Sequence, residues 1–136
     1  KVLVDGEEYK FEAYNIEGNN YFKLRDIAML LNKNNVEAQF ANVTWDDVNK
    51  VVNVIPYEKY VPVGGEFAEG DGTSKLAQYG ASELYIDGYP VGVRAYLING
   101  NNYFKLRDLA EIFMFDVDWD AAANSVIIDT LSALNQ

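Results

Sequence analysis

Cysteine and histidine are both absent from the chain. Without cysteine there is no disulfide and no thiol nucleophile. Without histidine the commonest general base and the commonest metal ligand are gone. Positive charge is scarce too, with 11 Lys and Arg against 21 Asp and Glu, a net charge of −10. Phosphate backbones and anionic lipid repel such a chain, so no nucleic-acid partner is expected. No apolar run approaches the roughly 20 residues that span a bilayer, so no membrane insertion is expected either. Only three prolines occur, whereas Tyr, Phe and Trp make up 14% of the residues. With 49% hydrophobic residues over 136 positions, the composition is that of one globular domain able to bury a core. The first residue is Lys and no signal-like segment remains, so the chain is expected to be a trimmed piece of a longer protein.

What the chain does have is a repetition. "GNNYFKLRD" stands at Gly18–Asp26 and returns letter for letter at Gly100–Asp108, an offset of 82 residues. Val2, Val4, Asp5 and Gly6 align with Leu84, Ile86, Asp87 and Gly88, and Ala13-Tyr14 with Ala95-Tyr96. Downstream, "VTWDDVNKV" (Val43–Val51) aligns with "VDWDAAANSV" (Val117–Val126), with one extra residue in the second copy. The first copy in turn carries about eight more residues around "NKNNVEAQF" after its helix.

Each copy reads the same way. Asp5-Gly6 and Asp87-Gly88 sit between apolar-rich runs and predict hairpin turns, because such turns need positive φ. The following strand alternates Tyr9, Phe11, Ala13 and then shifts phase to Tyr14, Ile16. Its counterpart does likewise, predicting a β-bulge near Ala13 and Ala95. After turns at Glu17-Gly18 and Asn99-Gly100, Leu24, Ile27, Ala28 and Leu31 take helical spacing, as do Leu106, Leu109, Ala110 and Phe113. A hairpin closes each copy. The expected fold is α+β: two related ββαββ units, mainly antiparallel strands packed around short helices, in one compact domain. The units are expected at residues 1–55 and 83–130, with a connector at 56–82 that wraps against the body and a tail at 131–136. Each unit alone is only about 50 residues, a size at which burial is marginal. The two are therefore expected to share a core or exchange strands.

Within the repeated stretch, Phe22 and Leu24 are expected on one face and Tyr21 and Lys23 on the other. Asp26 suits the positive end of a helix, whereas Arg25 does not and is expected to have a carboxylate or carbonyl partner. One use for these polar groups is to satisfy one another and fix the helix angle. The other is a duplicated ligand site built from Asn20, Tyr21 and Lys23, and from Asn102, Tyr103 and Lys105.

At these residues the chain resembles a known family. "AYNIEGNNYFKLRDIA", "AYLINGNNYFKLRDLA", the "WD" hairpins and the intervening "YVPVGGEFAEGDG" are similar to the copper amine oxidase N-terminal-like, or stalk, domains of secreted and cell-surface proteins of Gram-positive bacteria. The resemblance covers about residues 1–130. It implies an α+β domain in an extracellular or surface-attached protein. It does not imply copper: histidines hold the metal in a separate catalytic domain of those oxidases, and this chain has none. No cofactor is expected.

Other motifs carry less. Asp116, Asp118 and Asp120 alternate as in a calcium loop, yet Ala121 and Ile127 stand where an EF-hand needs Gly and Glu. They read instead as a solvated strand and turn. "GDGTSK" (Gly70–Lys75) lacks the spacing and the helix of a phosphate loop. Trp45 and Trp119 hold equivalent hairpin positions and are expected in the core; an exposed indole there would stack on a sugar ring. No catalytic and no metal-binding residue stands out. The expected function is a non-catalytic module of an exported bacterial protein, binding or spacing at the cell envelope, with cell-wall glycan or another envelope protein as partner. The alternatives are an enzyme domain acting on polysaccharide or peptide, and a purely structural stalk or assembly element.

Overall fold

Four tight turns organise the strands. Asp5-Gly6, Glu17-Gly18, Asp87-Gly88 and Asn99-Gly100 all place both residues at positive φ, between 51° and 87°. Strands joined in this way twist together without splaying. The computed structural model describes residues 1–131, apart from the side chain of Ala81.

The elements run β1 (Val2–Val4), β2 (Glu7–Tyr9), β3 (Ala13–Ile16), β4 (Asn19–Lys23), α1 (Leu24–Asn32), β5 (Ala41–Asp46), β6 (Val51–Pro56), β7 (Ala77–Ile86), β8 (Tyr89–Ile98), β9 (Asn101–Lys105), α2 (Leu106–Phe113), β10 (Asp116–Asp120) and β11 (Ser125–Asp129). The larger sheet has the order β3-β4-β9-β8-β7-β6-β5 and the smaller one β10-β11-β1-β2. Most ladders are antiparallel. The two parallel ones each join one half of the chain to the other: β1 lies beside β11 with Val2 opposite Val126, and β6 beside β7 with Val52 opposite Leu84.

One apolar core spans both halves. It contains Leu24, Ile27, Ala28, Leu30 and Leu31 of α1, Leu106 and Leu109 of α2, and the inward residues of β1, β5, β6, β7 and β11. Helices of nine and eight residues are too short to persist alone, so this burial holds them. A smaller cluster of Tyr21, Ile98 and Tyr103 occupies the other face of the large sheet.

Several expectations need correction. The stretch between the second turn and each helix, which the ββαββ reading left without a strand, is a full strand, β4 or β9, and these two pair with one another. The first half therefore reads ββββαββ and the second βββαββ, with β8 continuous where the first half has β2 and β3, rather than ββαββ twice. The phase slip near Ala13 is a break that sends β3 into the other sheet from β2. Near Ala95 the extra residues lie on β7, where residues 80–82 bulge between the Tyr79–Tyr96 and Glu83–Arg94 pairs. The two Trp hairpins are equal in length, since Asp46 faces Val51 and Asp120 faces Ser125. No residue is inserted.

Residues 57–76 form a strap without long elements. It is tied down where the Phe67 amide donates to Asp26 Oδ1 at 2.9 Å, the Tyr60 amide to Asn32 Oδ1 at 3.3 Å, and the Glu12 amide to the Ala68 carbonyl at 3.1 Å. Tyr60 is buried and Phe67 packs on the core, while Tyr57, Val61 and Val63 are exposed. The strap is shorter than the 56–82 connector, because β7 already begins at Ala77. Of the tail at 131–136, all beyond Leu131 lies outside the described residues.

The additional residues of the first half form a 3-10 turn at Glu37–Gln39. From there Gln39 Nε2 donates to the Thr130 carbonyl at 2.6 Å, and Asn34 Nδ2 donates to Thr130 Oγ1 at 2.9 Å.

Candidate functional site

Two clefts of related composition open where a helix begins beside a Trp hairpin. The first, of about 630 Å³, is lined by Lys23, Leu24 and Arg25 at the start of α1, Val43 to Trp45 of β5, Val52, and Gly100 to Asn102 at β9. Lys50, Gln78, Ser82 and Leu97 complete it. The second, of about 340 Å³, is lined by Lys105, Leu106 and Arg107 at the start of α2, Val117 to Trp119 of β10, Val126, and Gly18 to Asn20 at β4, with Asn15. The same residue types recur in the same roles, and each cleft takes its helix and hairpin from one half and its Asn strand from the other.

The local sequence explains the clefts. Lys23 and Lys105 hold the N-cap positions of their helices in extended backbone and offer no side-chain cap. The first-turn amides therefore lack side-chain acceptors at a partly positive helix end. On the opposite wall, the Asp5-like turns Glu17-Gly18 and Asn99-Gly100 deliver the paired asparagines onto β4 and β9.

Trp45 and Trp119 are not core residues, contrary to the expectation from their register with Val43 and Val117. They are 42% and 50% exposed. β5 is buried over Ala41–Val43 and exposed at Thr44 and Trp45, so the strand outruns the core and leaves the indole on the cleft. Trp45 Nε1 donates to Asp47 Oδ1 at 3.3 Å, and the same oxygen accepts from Lys50 Nζ at 2.9 Å. In the second hairpin Ala121 replaces that aspartate, and the Trp119 indole N–H has no acceptor among the described residues.

The sequence-based candidates are thus divided differently from the way the repeat suggested. Asn102 joins Lys23 and Trp45 in one cleft; Asn20 joins Lys105 and Trp119 in the other. Tyr21 and Tyr103 line neither. They sit in the small cluster behind the sheet, where the Tyr103 hydroxyl donates to Glu12 Oε1 at 2.9 Å. Burial, then the hydrogen bond to Glu12, pushes the Tyr103 hydroxyl far above the usual phenol range. Sequence reasoning passed over Arg25, Arg107, Lys50 and Gln78 as cleft residues; the arginines were legible as poorly placed for the helix dipole.

Charge within the clefts is unevenly satisfied. Among the described residues Arg25 finds neither carboxylate nor carbonyl; its Nη1 donates to the Tyr60 hydroxyl at 3.4 Å, and the guanidinium lies 6.0 Å from that ring. Tyr60 in turn donates to Glu66, and burial raises its pKa to about 12. Lys105 and Arg107 make no hydrogen bond or ion pair among the described residues. Lys23 is likewise without one although it is only 9% exposed. Asn102 Oδ1 is a buried acceptor with no donor among the described residues.

Behind the first cleft, Asp26 is fully buried with one carboxylate oxygen bonded to the Phe67 amide and the other without a partner among the described residues. Burial raises its pKa to about 6, against the opposing pull of that amide and of Lys23. Elsewhere the loop at Gly70–Lys75 is closed on itself. Asp71 accepts from Lys75 Nζ at 2.7 Å and from the Thr73 amide at 2.9 Å, which hold its carboxyl well below the usual range. Asp116–Asp120 is strand β10; Asp118 accepts from the Trp119 amide and Asp120 from the Ala123 amide, as turn-forming carboxylates do.

Residues 3–128 match the family model of the copper amine oxidase N-terminal domain, and the chain belongs to that family. No curated protein and no solved structure matches it. The residues do not fit copper. Histidine and cysteine are absent, and among the described residues no three Asp or Glu side chains are grouped to hold a metal.

Proposed function

We propose that this member of the copper amine oxidase N-terminal domain family is a non-catalytic binding module of an exported bacterial protein, taking a saccharide in each of its two clefts at the cell envelope. The observation that carries this is the pairing in each cleft of a half-exposed Trp with asparagine side chains and uncapped helix amides. An indole face stacks on the C–H surface of a sugar ring, while amides and helix N–H groups bond hydroxyls around it. That the two clefts contribute only one carboxylate, Asp118, favours binding over glycoside hydrolysis, which uses a pair.

The duplication accounts for there being two. In the sequence alignment Val2 corresponds to Leu84, and with hairpins of equal length Val126 corresponds to Val52. The two parallel ladders are then one ladder used twice. Asp5 N bonds the Ile128 carbonyl at 2.9 Å as Asp87 N bonds the Val54 carbonyl at 2.8 Å. We read the chain as two related units that exchange terminal strands, each completing the other's cleft.

The test is titration of the 15N-labelled chain with chitohexaose and with soluble peptidoglycan fragments. Shifts confined to the amides of Gly18–Asn20, Gly100–Asn102 and the Trp hairpins are the expected result. No shift with any saccharide would remove the proposal and leave a spacer element.

A further inference from the structure

Charge in the clefts runs against the charge of the molecule. The chain has 11 basic and 21 acidic residues, yet five of the former and one of the latter line the clefts. Lys23, Arg25 and Lys50 stand in the first with no carboxylate among its lining residues, Lys50 being paired with Asp47 just outside it at 2.9 Å. Lys105 and Arg107 stand in the second beside Asp118, whose Oδ1 is engaged by the Trp119 amide at 2.8 Å. Random placement on so acidic a surface would give the opposite ratio.

These cations are also poorly consumed by the protein itself. Lys105, Arg107 and the nearly buried Lys23 have no hydrogen-bond or ion-pair partner among the described residues. Their charged groups are therefore available to an acidic group of a ligand. The uncapped first turns of α1 and α2 add partial positive charge at the same two places.

Resting on the saccharide-binding reading above, we infer that the clefts select an acidic saccharide, one whose sugar units bear a carboxylate. The ring lies on the indole and the acidic group meets the Lys and Arg side of the cleft. A densely charged polyanion does not fit this description. The net charge of −10 repels it at long range, whereas a short sugar with spaced charges is attracted locally.

The experiment is calorimetric titration of the full chain with trigalacturonic acid and with its carboxyl-reduced counterpart, which has the same ring geometry without charge. The acid is expected to bind about tenfold tighter, as one added charge-assisted contact provides. Arg107→Gln and Lys50→Gln, both surface changes that leave the core intact, are expected to weaken binding of the acid more than that of the reduced sugar and so shrink this preference. A second comparison, N-acetylmuramic acid against N-acetylglucosamine 6-phosphate, separates carboxylate from phosphate; tighter binding of the phosphate would overturn the carboxylate assignment. Equal affinity for acid and reduced sugar would overturn the inference while leaving the clefts as saccharide sites. Binding of neither would overturn both.

Discussion

Phe22 lies directly opposite Phe104 where β4 crosses to β9, and both rings are fully buried. Tyr21 faces Lys105 on one side of this pair and Lys23 faces Tyr103 on the other, so the ladder reads the same from either end. The two copies of the nine-residue stretch therefore meet at their own centres. This contact holds the helix starts, and with them the clefts, at a fixed separation.

Removing either ring should be expensive. Phe22→Ala and Phe104→Ala are each expected to cost ~3–5 kcal/mol, the range for emptying a packed aromatic site. Because the two face each other, the double variant should fall short of the sum by ~0.5 kcal/mol or more. Urea unfolding of the four proteins measures both quantities.

Asp26 makes stability depend on pH in an unusual direction. Its folded pKa, about 6, lies above the ordinary carboxylate value, so the folded state binds the proton more tightly than the unfolded one. The penalty for burying the carboxylate is complete above about 6 and vanishes as pH falls below the unfolded pKa near 4. Asp26→Asn removes this term. The wild type should gain stability relative to Asp26→Asn between pH 7.5 and 4.5, as read from paired denaturation midpoints.

The chain ends are closed by Asp5, whose carboxylate accepts from the Thr130 amide at 2.8 Å and from the Thr130 hydroxyl. Asp87 holds the equivalent turn without such a side-chain bond among the described residues. Asp5→Ala should cost ~1–3 kcal/mol by leaving those buried donors without an acceptor, and Asp87→Ala clearly less. Thermal unfolding of the pair distinguishes them.

Trp45→Ala and Trp119→Ala are expected to change stability by less than ~1 kcal/mol, since both indoles are half exposed. Each should abolish saccharide binding in its own cleft and spare the other. Fluorescence checks this: the single remaining Trp should still shift its emission on titration.

Much of this architecture was legible beforehand, for local reasons. Asp-Gly and Asn-Gly announce turns because their backbone needs are particular, and the spacing of Leu24, Ile27 and Leu31 marks a buried helix face. β4 and β9 were harder to read. "NNYFK" is half polar, and its strand character comes from pairing with its own copy 82 residues away. The Trp residues misled because Val43 and Trp45 share a strand face, while the core ends between them. That Asn20 lies with Trp119 rather than Trp45 follows from the pairing of β4 with β9. No local pattern encodes it.

The central claim is that each cleft exists only through the joining of both halves. The most direct measurement is to express residues 1–76 and 77–136 separately, cutting beside the exposed Leu76, and to record 15N spectra alone and mixed. Each fragment alone should give the narrow dispersion of an unfolded chain, and the mixture should recover the spectrum of the intact protein together with its saccharide response. A well-dispersed spectrum from either fragment alone, or binding by one fragment without the other, would contradict the account.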